Sequence, residues 1–169
     1  MLVAAANPCP CGYFPDRNKC NCTEQEIRKY FNKISGPVLD RIDLCCEMSP
    51  INIEDLQAKS YGESSEKIRE RVLGAIKIQE ARFAGTPYRF NAEIPSEEVA
   101  RYCKMGARAE GTLRKLYQKL HLTARSYYKL LKVSRTIADL DNSDCIEEKH
   151  LKEAGCFRLS AFETTEGIC

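Results

Sequence analysis

The sequence predicts a mainly α-helical fold in which a helical bundle follows a partial α/β piece. From about residue 57 onward, segments with helix caps and single apolar stripes follow one another through short loops, which is typical of a compact bundle. Before them, two apolar runs predict strands, and a loop with four cysteines and a short helix lies between these runs. The periodic pattern lapses around residue 56, so we predict a domain boundary there. The predicted parts are 1–56, 57–155 and 156–169, the last being a loosely ordered tail.

Composition sets limits on the class of protein. The 169 residues are 43% hydrophobic, which is enough for a globular core. The sequence has neither a long apolar run nor a secretory signal, so we expect a cytoplasmic protein that does not contact membranes. With 26 basic and 24 acidic residues, the net charge of +2 gives no general attraction to nucleic acid, and such contact would need a local patch.

The apolar run from Leu2 to Ala6 predicts a strand that is covered on both faces, because it shows no alternation. Such a strand needs neighbours on each side, and few later segments could supply them. We therefore interpret Met1 as an internal cut or a misplaced gene start. A second strand is predicted to begin near Ile42.

Four cysteines form the pattern CxC, eight residues, CxC, at Cys9, Cys11, Cys20 and Cys22. Two close pairs around a turn can place four thiolates around one tetrahedral ion, so we predict structural zinc. Free thiols in a surface turn are the alternative, and a redox pair is disfavoured because the CxxC spacing is absent. The other six cysteines are scattered among ordinary helical or strand patterns, and we expect them to be reduced.

Helix caps can be read along the rest of the chain. Thr23 and Glu26 form a capping box that begins a short helix after the cysteine loop. Ser64 or Ser65 begins the longest helix, which ends at Gly85. Its predicted buried stripe consists of Ile68, Val72, Ala75, Ile76 and Phe83.

Four more helices are predicted after the longest one. Ser96 caps a short helix, and a further helix is predicted over residues 107–120. Thr123 caps the next helix, and the last one is predicted over residues 147–154. The side chains predicted to point inward from the helix after Thr123 are Tyr127, Leu130, Leu131, Ile137 and Leu140.

Arg125 lies in the first turn of its predicted helix, where exposed amides and the helix dipole already make the potential positive. The arginine is unfavourable there unless an anion binds at the helix end, where amides and a guanidinium together can hold phosphate. A solvated arginine is the alternative, at a cost of only about 0.3 kcal/mol.

Three strings in the chain carry a family resemblance, namely AAANPCPCGYF, KISGPVLDRIDL and LTARSYYKLLKVSRTIADL. They resemble the magnesium-chelatase-like AAA+ ATPases of the YifB and ComM type, and the resemblance extends from Leu2 to about Ala154. It implies that the helical bundle is an AAA+ lid domain and that the N-terminal part is a remnant of the α/β ATPase core. The polypeptide then resembles the C-terminal third of such an ATPase.

The resemblance implies roles for three residues. Asn7 matches sensor 1, which orients the attacking water; Arg41 matches the arginine finger, which reaches a neighbouring subunit's nucleotide; Arg125 matches the phosphate-contacting sensor 2. Taken without the resemblance, Asn7 before Pro8 is a common turn signal, and Arg41 lies between aspartates that could form a surface ion pair.

The function implied by the resemblance is that of a motor assembled as a homo-oligomeric ring, with a hexamer expected. The motor would use ATP and Mg²⁺ and remodel DNA by helicase or branch-migration activity. Neither GxxxxGK[ST] nor an acidic Walker B strand occurs in these residues, so we expect this chain alone to be inactive.

Two alternatives stay open. A zinc-stabilised module could bind nucleic acid or protein, with the bundle merely supporting the loop. A porphyrin magnesium chelatase subunit would have a related scaffold, although by resemblance the NPCPCG loop points away from it.

Overall fold

The computed structural model describes residues 1–48, 51, 53, 57 and 62–158. These residues are mainly helical, which confirms the predicted fold class. They group into two compact units, Met1–Ile42 and Asp43–Cys169. Residue 56, the predicted boundary, and residues 159–169 of the predicted tail lie outside the described residues.

The first unit contains the cysteine loop followed by helices α1 (Glu24–Phe31) and α2 (Gly36–Leu39). The predicted capping box is present, because the Thr23 amide donates to the Glu26 carboxylate at 2.8 Å and the Glu26 amide donates to the Thr23 hydroxyl at 3.3 Å. Ile27 of α1 is buried against Cys9 and Cys20. The start of α1 is therefore packed directly against the cysteine loop.

The two predicted strands are absent from the described structure. Leu2 and Val3 are 76% and 81% exposed, and neither residues 2–6 nor residues 42–48 form a strand. A strand forms only when a neighbour supplies its hydrogen bonds, and no described segment pairs with either run. The apolar pattern alone was therefore insufficient to make a sheet.

The second unit is a helical bundle. Its helices are α3 (Ser65–Arg82), α4 (Val99–Tyr102), α5 (Ala107–Lys119), α6 (Ala124–Leu140) and α7 (Glu148–Cys156), with 3₁₀ turns at Asn91–Glu93 and Ser96–Glu98. Local caps set the starts of α3 and α6, because the hydroxyls of Ser64 and Thr123 accept from the amides of Lys67 and Ser126. Helix α6 packs against both α3 and α7 and forms the centre of the bundle.

Helix α3 buries only its C-terminal half. Ala75 and Gln79 are buried, as is Phe83 just after the helix, whereas Ile68 and Val72 are each 44% exposed. The predicted stripe is therefore wrong in its first two turns, because the buried positions of α3 begin only at Ala75. Leu140, at the last position of α6, is also exposed instead of pointing inward.

A buried polar network joins α3, α6 and the turn before α7. Arg135 is 1% exposed, and its Nε donates to Asp139 Oδ1 at 3.1 Å while its Nη1 donates to the Asp144 carbonyl at 2.8 Å. Arg82 of α3 donates from Nη1 to Asp139 Oδ2 at 2.7 Å, and Nδ2 of the Asn91 side chain donates to the same oxygen at 2.8 Å. One buried carboxylate therefore pairs with two guanidinium groups.

Replacing Asp139 by alanine should lower the free energy of unfolding by about 3–5 kcal/mol, because two guanidinium groups then lose their buried counter-ion. Urea denaturation followed by circular dichroism measures this change. Asp144→Ala is the matched control, because that side chain is exposed and only its backbone carbonyl joins the network. The control should change stability by less than about 0.5 kcal/mol. Equal stability of the two variants would contradict the role of Asp139.

Candidate functional site

The cysteine loop is shaped by backbone turns that return the chain to itself. The Gly12 amide donates to the Cys9 carbonyl at 3.0 Å, and Gly12 has φ of 85°, a left-handed conformation that favours glycine. Further along, the Cys20 amide donates to the Asp16 carbonyl at 2.8 Å, and the Asn18 amide donates to the Asp16 carboxylate at 3.0 Å. These turns bring the two CxC pairs together.

The four sulfur atoms of Cys9, Cys11, Cys20 and Cys22 all lie within 4.8 Å of one another. The Cys9–Cys11, Cys11–Cys20 and Cys9–Cys20 sulfur distances are 3.3, 3.5 and 3.8 Å. A tetrahedral ion with bonds of about 2.3 Å would hold its sulfur ligands about 3.8 Å apart. The geometry therefore fits one ion bound by four thiolates, as the spacing predicted.

The thiols differ in how readily they ionise. Burial raises the pKa of Cys9, but hydrogen bonds from the Phe14 amide, the Cys11 and Cys20 thiols and the Gly12 amide bring it down to about 6. A hydrogen bond from the Cys11 amide lowers the pKa of Cys22, whereas burial and the neighbouring sulfurs raise it to about 12. Burial likewise raises the pKa of Cys20. The bare cluster therefore favours one thiolate over several.

Other described cysteines behave differently. Cys45, Cys46, Cys103 and Cys145 are free thiols, as expected, whereas Cys156 is disulfide-bonded, so the expectation of a reduced thiol is wrong there.

Asn7 lies beside the cysteine loop. A Cβ atom at Gly12 would stand 3.7 Å from Asn7 Nδ2, so the amide adjoins the turn that the glycine makes. The Asn7 side chain is exposed. The side chain of Asn7 is therefore both solvent-accessible and next to the Gly12 turn.

Arg41 is exposed just after α2, and its Nη1 donates to the Pro37 carbonyl at 2.8 Å. Gly36 and Pro37 begin this short helix, where proline needs no amide partner and suits the first turn. The arginine therefore projects from a short helical turn in the first unit, whereas Arg125, the other arginine predicted as a site residue, belongs to the second unit.

Arg125 is the second residue of α6 and is exposed. It makes no hydrogen bond or ion pair with any residue that the structure describes. It lines a cavity of about 370 Å³ together with Lys129 and Lys132, which follow it on the same face of α6, and with Ser96 and Tyr128. Three cationic side chains therefore line one cavity beside the N-terminal turn of this helix.

The two lysines have partners on other segments. Lys129 Nζ lies 2.8 Å from Asp43 Oδ1, and Lys132 Nζ donates to the Ala92 carbonyl at 3.0 Å. Burial lowers the pKa of Lys132, although Cys103 and Asp43 oppose that effect. Sequence reasoning missed both lysines as site residues, although their spacing of four and seven positions from Arg125 was the available signal.

None of the helices that the structure describes is both long and apolar enough to cross a membrane.

The helical unit and the cysteine loop each match a family model. Residues 62–158 match the family described as "Magnesium chelatase, subunit ChlI C-terminal", and residues 1–56 match "Magnesium chelatase, subunit ChlI". The chain therefore belongs to the magnesium chelatase family, which confirms the family predicted from the three strings.

Individual relatives agree with this assignment. The chain is 41% identical over 159 residues to competence protein ComM of Haemophilus influenzae and 38% identical over 160 residues to YifB of Escherichia coli, with 94% of the chain covered in each case. A protein of Mycobacterium bovis, Mb2921c, is 34% identical over 140 residues, or 83% of the chain. The chain spans 30% of the length of ComM and of YifB, and 27% of that of Mb2921c.

Proposed function

We propose that this chain forms the C-terminal part of an oligomeric AAA+ ATPase, in which Arg125 is the sensor 2 residue that contacts bound phosphate. The observation that carries the proposal is the cavity at the start of α6, where Arg125 lacks an anionic partner among the described residues and two lysines converge with it. The free amides of a first helical turn add to this positive potential. A phosphate group would supply the anionic partner that Arg125 lacks among the described residues.

The other two roles are proposed from the matching strings and are consistent with exposure. Asn7, as sensor 1, would position the attacking water, and the adjoining loop would hold its amide in place. Arg41, as the arginine finger, must reach a neighbouring subunit, and an exposed position after a short helix permits this. ATP and Mg²⁺ would bind in the full-length protein, and we propose that the chain alone is inactive.

We also propose that the full-length protein is a homo-oligomeric ring, with a hexamer expected, that acts on DNA. A groove of about 980 Å³ in the second unit supports the DNA part of this proposal, because it combines aromatic rings with basic groups, as single-strand sites do. Two glutamates also line the groove and offset part of its positive charge. Its aromatic rings therefore support DNA binding more strongly than its charge does. The tyrosines and basic residues of the lining are Tyr117, Tyr127, Tyr128, Lys104 and Arg114.

The ion of the cysteine loop is proposed to be zinc with a structural role. Four cysteine ligands leave no open position for a substrate, which is typical of structural zinc. The buried apolar cluster around the loop is small, consisting of Cys9, Cys20 and Ile27. A bound ion would therefore brace the segment that carries Asn7.

Arg125→Ala in the full-length protein tests the proposed function. We expect the rate of ATP hydrolysis at saturating ATP to fall by roughly 10²-fold, because a preorganised positive charge beside the transferred phosphoryl group is lost. A steady-state phosphate-release assay measures this rate. Arg71→Ala is the matched control, because Arg71 is an exposed arginine of α3 that pairs with Glu63. Turnover of Arg125→Ala equal to that of the control would refute the sensor 2 role.

A further inference from the structure

Lys129 pairs with an aspartate and lines the same cavity as Arg125. It follows Arg125 by one turn of α6, and both side chains line the same cavity of about 370 Å³. Its ammonium lies 2.8 Å from the carboxylate of Asp43, and only 20% of the Lys129 side chain is exposed. The ammonium is therefore held at the wall of the cavity by a carboxylate from another segment.

We propose that Lys129 is a second phosphate-binding residue of this cavity and that Asp43 is the counter-ion which a triphosphate chain displaces. This inference rests on the proposed function, since it assumes that the cavity binds the phosphates of a nucleotide. Asp43 is then a positioning residue, which holds the Lys129 ammonium when the cavity is empty and releases it when phosphate binds. Neither residue was among the sites predicted from the sequence.

The two partners of the Lys129–Asp43 ion pair differ in solvent exposure, and this difference favours displacement of Asp43. The Asp43 side chain is 68% exposed, so its carboxylate returns to water at little cost, and an ion pair with one exposed partner is weak. A triphosphate chain instead offers several anionic oxygens to Arg125, Lys129 and Lys132 together, which makes charge-assisted hydrogen bonds possible at each of them. The Asp43 carboxylate also repels an incoming phosphate, so its departure favours binding further.

Displacement at Asp43 would affect the chain next to Arg41. Asp43 follows Arg41 by two positions, a distance that the backbone spans with at most about 7 Å. A backbone hydrogen bond lies two residues after Asp43, where the Cys45 amide donates to the Phe157 carbonyl at 2.9 Å. When Asp43 is displaced, this stretch of chain keeps the hydrogen bond at Cys45 and loses the ion pair with Lys129.

Isothermal titration of the 169-residue chain with sodium tripolyphosphate at low ionic strength tests this inference. Asp43→Asn should tighten binding by roughly threefold to fivefold, because the competing carboxylate is removed. Lys129→Ala should weaken binding by roughly tenfold. In the Lys129→Ala background, Asp43→Asn should lose most of its effect, because the two residues act on the same contact. Asp144→Asn, an exposed aspartate elsewhere in the second unit, should leave the affinity unchanged.

The outcomes separate this inference from the proposed function. Absence of tripolyphosphate binding, an unchanged affinity in Asp43→Asn, or the same gain with and without Lys129 would overturn the inference. A purely structural ion pair would change the unfolding free energy in both variants without changing affinity, which would also overturn it. The proposed function is decided by ATP hydrolysis in Arg125→Ala of the full-length protein, so it can stand when this inference fails.

Discussion

Cys20→Ser should reduce the zinc content of this protein from about one ion per chain to almost none after dialysis against a mild chelator. Structural zinc contributes roughly 10–16 kcal/mol of binding free energy in small domains, and that energy depends on a complete set of deprotonated ligands. Cys20 is buried, and its sulfur lies 3.8 Å from that of Cys9, so a hydroxyl at this position removes one corner of the proposed tetrahedron. Mass spectrometry of bound metals measures the loss.

The same substitution should unfold the first unit locally, because the buried apolar cluster around the loop is small. Its buried apolar cluster contains two of the proposed ligands and Ile27, whereas the core of the second unit contains no residue of the cysteine loop. Hydrogen exchange should therefore become fast around α1 and stay slow in α6. Cys46→Ser, which changes an exposed free thiol of the second unit, should alter neither zinc content nor exchange. A metal-free wild-type chain with a folded loop would rule out the zinc brace.

The helices could be predicted from the sequence because their determinants are local. Ser64 and Thr123 begin α3 and α6 through hydrogen bonds to amides three residues away, so a short window of sequence contains the signal. The strands could not be predicted in the same way, because pairing depends on segments remote in the chain. Ile68 and Val72 show the same limit, since an apolar stripe does not state how much of a helix its neighbours cover.

The same distinction between local and long-range determinants applies to the candidate site. The cysteine cluster was predictable because two close pairs around one turn have few other arrangements. The unfavourable position of the Arg125 charge, in the first turn of its own helix, was also visible in the sequence. The pairing of Lys129 with Asp43 joins distant parts of the chain and left no sequence signal. Arg135 is a similar case, because an arginine and an aspartate four residues apart also suit a solvated helix face.

Arg41→Ala should lower ATP hydrolysis by the full-length protein by roughly 10³-fold or more while leaving ATP binding nearly unchanged, as expected for an arginine finger supplied in trans. An arginine finger stabilises charge that develops during phosphoryl transfer and does not hold the nucleotide in the ground state. Turnover and the affinity for a fluorescent ATP analogue, measured on the same preparation, separate these two effects. Arg28→Ala, an exposed arginine of α1, is the control and should be fully active.

A mixing experiment distinguishes a finger that acts in trans from an arginine that merely supports its own subunit. Arg41→Ala subunits would retain an intact nucleotide site, and full-length subunits in which the lysine of a GxxxxGK[ST] motif is replaced would retain an intact finger. Each variant alone should be inactive, whereas mixed rings should recover part of the activity, because some interfaces then combine the intact site with the intact finger. Arg41→Lys should not substitute for the arginine, because a lysine lacks the planar fork of donors. If mixing restores no activity and the rings still form, Arg41 acts within its own subunit and the finger assignment fails.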